Sequence, residues 1–191
     1  MTDLNLRPAH KSECRTIAEL YRISSDGVAD YIWSKMAAPG QDILEVGQQR
    51  YAREGTPFSY ENCTLALSGG AIAGMLVAFP MHIDPDAGEE EDPVLAPYAR
   101  LEADNSYYIC GMALFPPFRG QGTGSRFLAH AESAAVRLGL PRLSLIVFEQ
   151  NAGAKRLYDR QGFLTVAREP VVPHPLIHFT GDALLMVREL R

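Results

Sequence analysis

At 191 residues the chain has room for one domain with a buried core. Its 47% hydrophobic and 21% charged residues mark an ordinary globular sequence, neither fibrous nor disordered. The net charge of −5 comes without a basic stripe, which leaves no electrostatic case for nucleic acid, and no apolar run approaches the length of a membrane span.

Leu4 and Leu6 before Pro8 suggest a short first strand, and Ser12 with Glu13 opens a helix through Ile17, Leu20 and Tyr21. A second helix is expected over Val28 to Met36, with Tyr31, Ile32 and the only tryptophan, Trp33, read as core residues; Pro39-Gly40 ends it. Ile43 to Glu54 has too irregular a pattern to fix its ends, although Leu44, Val46 and Tyr51 suit a further helix. Cys63 to Leu67 and Ala71 to Phe79 flank Ser68-Gly69-Gly70, the signal of a β-hairpin. From Met81 to Asn105 the composition turns to Asp, Glu and Pro around Glu89-Glu90-Glu91-Asp92. No core-forming period survives there, so a long loop is expected, with a short helix around Val94 to Leu101. The acidic run reads first as a solvated face and second as an attractor of a cationic acceptor.

Tyr107 to Leu114 reads as a strand, stopped by Pro116-Pro117. A glycine-rich stretch, Arg119-Gly120-Gln121-Gly122-Thr123-Gly124-Ser125, then opens a helix whose apolar face is marked by Phe127, Leu128, Ala131, Ala134, Ala135 and Leu138. Gly139 and Pro141 end that helix, and the apolar run Leu143 to Phe148 has the look of a strand buried on both faces. Asn151 stands where an N-cap is wanted, before a helix over Ala152 to Gln161 that stops at Gly162; Ala154, Leu157 and Tyr158 share one face of it. Phe163 to Val172 and Ala183 to Leu190 are the closing strands.

Glycines at 120, 122 and 124 clear side chains from a turn that leads into a helix N-terminus, where unpaired N–H groups and the helix dipole favour an anion. The arrangement suits a pyrophosphate, with Arg119 as an added cation. It is not a P-loop, for no lysine follows a glycine, and Gly-x-Gly-x-x-Gly fails at Ser125 or Phe127. What fits is Arg-x-x-Gly-x-Gly at Arg119, Gly122 and Gly124, with Leu114 and Pro116 before it. This resembles the acetyl-CoA loop of the GNAT superfamily of N-acetyltransferases. The segment Asn151-Ala152-Gly153-Ala154-Lys155-Arg156-Leu157-Tyr158, followed by Gly162-Phe163, resembles that superfamily's second motif. The likeness runs from about Tyr107 to Phe163; Thr123 departs from the usual branched aliphatic, at a position that packs rather than binds.

The resemblance implies a single domain over residues 1–191, a mixed α/β GNAT fold with a mostly antiparallel central sheet, a splayed parallel pair (the strands ending at Leu114 and Phe148) and flanking helices. It implies acetyl-CoA as co-substrate. Its pyrophosphate would lie on Arg119, Gly120, Gln121, Gly122, Thr123, Gly124 and Ser125, and its pantetheine arm on Met112, Ala113, Leu114 and Asn151. A backbone N–H near Met112 to Leu114 would hold the oxyanion, and Tyr158 would protonate the leaving thiolate. The partner would be an amine-bearing acceptor, a small molecule or a protein N-terminus or lysine, with no nucleic acid and no membrane; a homodimer is compatible with it. A different acyl-CoA, an O-acceptor, or a non-catalytic CoA-binding module on the same fold are the alternatives.

For the proton of the acceptor, Glu149, Glu102, Asp104, His174 and His178 are candidates, and none is singled out by spacing. Cys110 lies inside a strand run without an adjacent histidine, so it reads as a structural thiol rather than an acyl carrier. Cys14, Cys63 and Cys110 are scattered and odd in number, forming neither metal-ligand pairs nor a disulfide framework. With no basic-then-apolar signal at the N-terminus, a cytoplasmic protein without a metal is expected.

Overall fold

Two glycines in the left-handed region, Gly69 (φ +58°) and Gly70 (φ +84°), turn the chain back between strands β2 (Cys63–Ser68) and β3 (Ala71–Met81). Positive φ at both central residues is what a tight antiparallel hairpin requires. The computed structural model describes residues 4–86 and 88–190. The other elements are β1 (Leu4–Pro8), α1 (Cys14–Ser24), α2 (Val28–Met36), α3 (Ile43–Tyr51), α4 (Ala96–Ala99), β4 (Ser106–Leu114), α5 (Thr123–Arg137), β5 (Arg142–Phe148), α6 (Ala152–Arg160), β6 (Leu164–Pro170) and β7 (Asp182–Glu189). The seven strands form a mixed sheet in the order β1-β2-β3-β4-β5-β7-β6. The chain divides into two compact units, one running to Ala78 with Gly111–Gly124, the other holding Phe79–Cys110 and the residues from Ser125 on.

In the first unit β1 pairs antiparallel with β2 and β2 with β3, with a bulge at Ala66/Leu67. The Phe115 N–H donates to the Ala73 carbonyl at 2.9 Å, which ties the end of β4 beside β3. Gly74 makes that approach possible, because a Cβ there would strike the Ala113 carbonyl and Leu114. The helices cover the sheet with apolar faces: Cys14, Ile17, Ala18 and Leu20 of α1, Ala29, Tyr31 and Trp33 of α2, and Leu44, Val46, Gly47 and Tyr51 of α3 are buried. Trp33 is 1% exposed, a core residue as expected, and Gly47 lies against its indole. The irregular third stretch is a helix that Asp42 caps, its Oδ1 accepting the Leu44 N–H at 3.0 Å.

In the second unit β4 and β5 run parallel, in register from Tyr107↔Leu143 to Ile109↔Leu145. The pairing ends there although β4 continues to Leu114 and β5 to Phe148. Phe79 faces Tyr108 edge-on, ring centroids 5.7 Å apart. β5 pairs antiparallel with β7 and β7 with β6, so the antiparallel pairs predominate. Phe127, Leu128, Ala131, Ala134 and Ala135 of α5 are buried as their spacing requires, but Leu138 is 57% exposed. The reason is that α5 ends at Arg137: Gly139 takes φ +70°, its N–H meets the Val136 carbonyl, and the Leu140 N–H meets that of Ala135.

Candidate active site

The glycine-rich passage is braced by its own residues. After β4, Pro116–Phe118 makes a 3₁₀ turn, closed by the Phe118 N–H on the Phe115 carbonyl at 3.0 Å. Arg119 Nε donates back to the Leu114 carbonyl at 3.0 Å, and Gln121 Nε2 to that of Pro117 at 3.2 Å. Arg119 is thus a strut of the loop as well as a surface cation. Gly120 (φ +74°) and Gly122 (φ +80°) are left-handed, and the space beside each is open. Glycine is needed there for backbone angle, and the open space lets a ligand approach the chain closely. Thr123 is 2% exposed and starts α5, so it packs, while the first-turn N–H groups of the helix have no acceptor within it. Of the expected site residues the first unit holds Met112, Ala113 and Leu114 at the end of β4, followed by Arg119 to Gly124.

Ser125, Asn151 and Tyr158 belong to the second unit. Asn151 caps α6, its Oδ1 accepting the Ala154 N–H at 3.2 Å. Gln161 Nε2 donates to Ser125 Oγ at 3.4 Å, linking the end of α6 to the start of α5. Tyr158 is 7% exposed, and its ring stands 5.8 Å from that of Phe163. The end of α6 explains this contact. Gly162 (φ +83°) gives its N–H to the Asp159 carbonyl, and Phe163 gives its own to the Tyr158 carbonyl at 3.1 Å. This paired closure stacks the residue after the glycine on the last turn of the helix.

The candidate proton acceptors separate in the same unit. Asp104 Oδ1 accepts the Ile83 N–H at 2.9 Å, and that bond holds its carboxyl below the usual aspartate range. Glu149 stands 3.8 Å from Arg168, and His174 Nδ1 accepts the Leu176 N–H at 3.2 Å. Burial pushes the Glu102 carboxyl up. Residues that spacing alone did not single out are Tyr98 and Tyr108, set in or beside the segment without periodicity. Burial pushes Tyr98 up to about 12 and Tyr108 well above the ordinary phenol value, with Cys110 and Glu102 adding to the latter. In the acidic run, Glu90 accepts the Asp92 N–H and Asp92 the Val94 N–H, each at 2.9 Å, so two of its four carboxylates hold turns. Ala87, within that segment, lies outside the described residues. Cys14 and Cys63 are buried and Cys110 half-buried, and none of the three is in a disulfide among the described residues. Among the described residues no cluster of His, Cys, Asp and Glu suits a metal ion, and no helix is long and apolar enough to cross a membrane.

Comparison with known proteins bears on this arrangement. The N-acetyltransferase YycN of Bacillus subtilis (strain 168), itself uncharacterized, is 39% identical over 56 residues, 29% of this chain and 36% of that protein. L-ornithine N5-acetyltransferase NATA1 of Arabidopsis thaliana is 31% identical over 93 residues, 49% of this chain and 39% of its own. The chain thus spans well under half the length of these curated relatives. An N-acetyltransferase from Staphylococcus aureus Mu50 shares the fold at a TM-score of 0.65 and 17% identity, covering 96% of this chain and 100% of that one. The PaiA N-acetyltransferase of Thermoplasma acidophilum, in complex with coenzyme A, does so at 0.60 and 13%, covering 98% and 99%. The acetyltransferase (GNAT) family model matches residues 31–163, from α2 through both glycine-stopped helices to Phe163. The chain belongs to that family, one of acetyl-CoA-dependent acetyl transfer.

Proposed function

We propose that this protein is an N-acetyltransferase that moves the acetyl group of acetyl-CoA directly to a primary amine. The observation that carries the reading is the passage from β4 into α5, with its two open left-handed glycines and the helix N-terminus behind them. The residues fit the group: amides of Gly120 to Ser125 suit a pyrophosphate, and no acidic side chain occurs between Leu114 and Ser125 to oppose it. In this reading Arg119 holds the loop and adds positive charge, Met112, Ala113 and Leu114 offer backbone to the pantetheine arm, and Asn151 contacts that arm from the start of α6. A β4 amide near Met112 to Leu114 holds the developing oxyanion, and Tyr158 gives its proton to the departing thiolate.

The amine class is supported by a relative that acts on L-ornithine. The reading treats the two units as one catalytic domain, because the family model runs through both without a break. Cysteines without a disulfide among the described residues suit a reducing cytoplasm. The test is thiol release from acetyl-CoA across a panel of amines, alongside mass spectrometry of ligand retained on purification. Turnover with an amine and a mass shift of one acetyl group in the product support the proposal; tight CoA binding with no turnover on any amine rejects it.

A further inference from the structure

We propose that the corner between α2 and α3 binds a small carboxylate, through residues other than those assigned above to acetyl-CoA and to the transfer. A cavity of about 170 Å³ lies there, lined by Met36, Gln41, Val46, Gln49, Arg50 and Arg53. All six belong to the first unit. Val46, Gln49, Arg50 and Arg53 follow one another at helical spacing, along α3 and just past its end, so a single helix face borders the cavity. No carboxylate lines it among the described residues, although the chain carries a net charge of −5.

What this lining has left to offer is donors. Arg7, Lys11 and Arg22 of the same unit each hold a carboxylate, whereas neither Arg50 nor Arg53 enters an ion pair among the described residues. Their nearest acids in sequence are engaged: Glu54 takes Lys11 at 2.9 Å, and Asp42 takes the Leu44 N–H at 3.0 Å. Each guanidinium is held in place while most of its N–H groups stay unused. Arg50 lies over the Phe58 ring, 4.3 Å from its centroid, with Nη1 3.6 Å from the Met36 sulfur. Arg53 Nε donates to the Arg50 carbonyl at 3.0 Å. Gln41 Oε1 accepts the Ala38 N–H at 3.1 Å, so the end of that amide left for a ligand is Nε2, a donor. Fixed donors with their acceptors already occupied suit an oxyanion.

The surroundings favour a carboxylate over a phosphate. Met36 is the last residue of α2 and Arg50 stands in the last turn of α3, so two helices bring their C-terminal ends here. The partial negative charge of those ends opposes a dianion more than a single carboxylate, and the amides of a helix N-terminus that phosphates favour are missing from the lining. A planar carboxylate takes two donors from one guanidinium, and Met36 and Val46 offer carbon to an alkyl stem.

The experiment titrates the full chain with succinate at constant ionic strength, by calorimetry, with inorganic phosphate and propylammonium as comparison probes. Succinate is expected to bind saturably at one site, to raise the melting temperature as its concentration rises, and to bind equally well when CoA is saturating. Arg50→Gln and Arg53→Gln are each expected to weaken succinate about tenfold, and the two together to remove measurable binding. Arg53→Gln disturbs no ring contact, so its melting temperature without succinate should match wild type even if Arg50→Gln loses stability with its Phe58 contact. Heat that never saturates, or equal affinity in wild type and Arg53→Gln, overturns the proposal and shows two arginines that only complement the helix ends. Phosphate binding tighter than succinate overturns the carboxylate class, and displacement of succinate by CoA moves it to the loop at Arg119. None of these results bears on whether the protein transfers an acetyl group.

Discussion

Phe163 is bonded to the very residue its ring packs against: its N–H donates to the Tyr158 carbonyl at 3.1 Å while the two tilted rings stand 5.8 Å apart. A single turn of backbone therefore brings the two rings together. The Gly162-Phe163 pair that follows the tyrosine at fixed spacing is a helix stop, and it brings the Phe163 ring beside that of Tyr158.

Tyr158→Phe keeps the ring and its contact with Phe163, so melting temperature should change little. If the phenol is the proton donor, kcat falls about 10²–10⁴-fold while CoA affinity stays near wild type, since only a transition-state interaction is lost. Calorimetry, thermal melting and turnover on one preparation decide it. Near-normal kcat in the folded variant removes Tyr158 from the mechanism.

Gly122→Ala meets no neighbour within 4 Å, so its cost comes from the φ of +80° alone, about 1–2 kcal/mol. Gly122→Asp adds a carboxylate where the pyrophosphate is proposed to lie, and calorimetry should show CoA affinity falling well beyond the loss for Gly122→Ala. Arg119→Ala removes a strut and one surface charge, and should weaken CoA less than Gly122→Asp does. An unchanged affinity in Gly122→Asp moves the CoA site elsewhere.

Gly47→Ala is expected to destabilise by about 1–3 kcal/mol, because the new methyl enters the Trp33 indole in a packed core. Trp33 is the only tryptophan, so its fluorescence reports the change directly. Chemical denaturation followed at that signal should show an earlier midpoint with the slope unchanged. A midpoint equal to wild type contradicts the contact.

Tyr98→Phe should leave stability unchanged or raise it, since the Tyr98 hydroxyl is buried with no hydrogen-bond partner among the described residues. The same burial sets an alkaline limit. Tyr98 is neutral in the fold up to about 12, against an ordinary phenol value of 10.0, and Tyr107 and Tyr108 are raised as well. Their contribution is whole below the unfolded value. It is lost as pH climbs from there through the folded values, because the unfolded chain then holds fewer protons. Denaturation midpoints should fall above about pH 10, less steeply in Tyr98→Phe; identical slopes in both proteins reject the burial of this phenol.

Features that answer to local chemistry were legible in the sequence. Gly69-Gly70, Gly139 and Gly162 announce their turns because only glycine adopts those angles cheaply, and the loop Arg119 to Ser125 is legible for the same reason. What sequence left open depends on distant neighbours. Gly47 interrupts the apolar pattern of α3, and the reason lies in another helix, whose Trp33 indole occupies the space a side chain there would need. Leu138 fits the helical period but falls past the glycine stop, and Phe163 reads as strand although β6 begins at Leu164. The short helix is Ala96–Ala99, narrower than the composition suggested. Tyr98 carries no periodic signal, since the burial of its hydroxyl is a property of the folded chain.

The strand β6 has a consequence for how the protein survives at high concentration. It is the last strand of its sheet, with Leu164 70% and Val166 59% exposed, so its outer rim is a template on which foreign chains could add. The bulge at Thr165/Ala167 breaks the straight run, Arg168 places a charge on it and Pro170 removes a donor at its end. An apolar strand that is bent, charged and capped within seven residues resists edge-to-edge aggregation without burying its side chains.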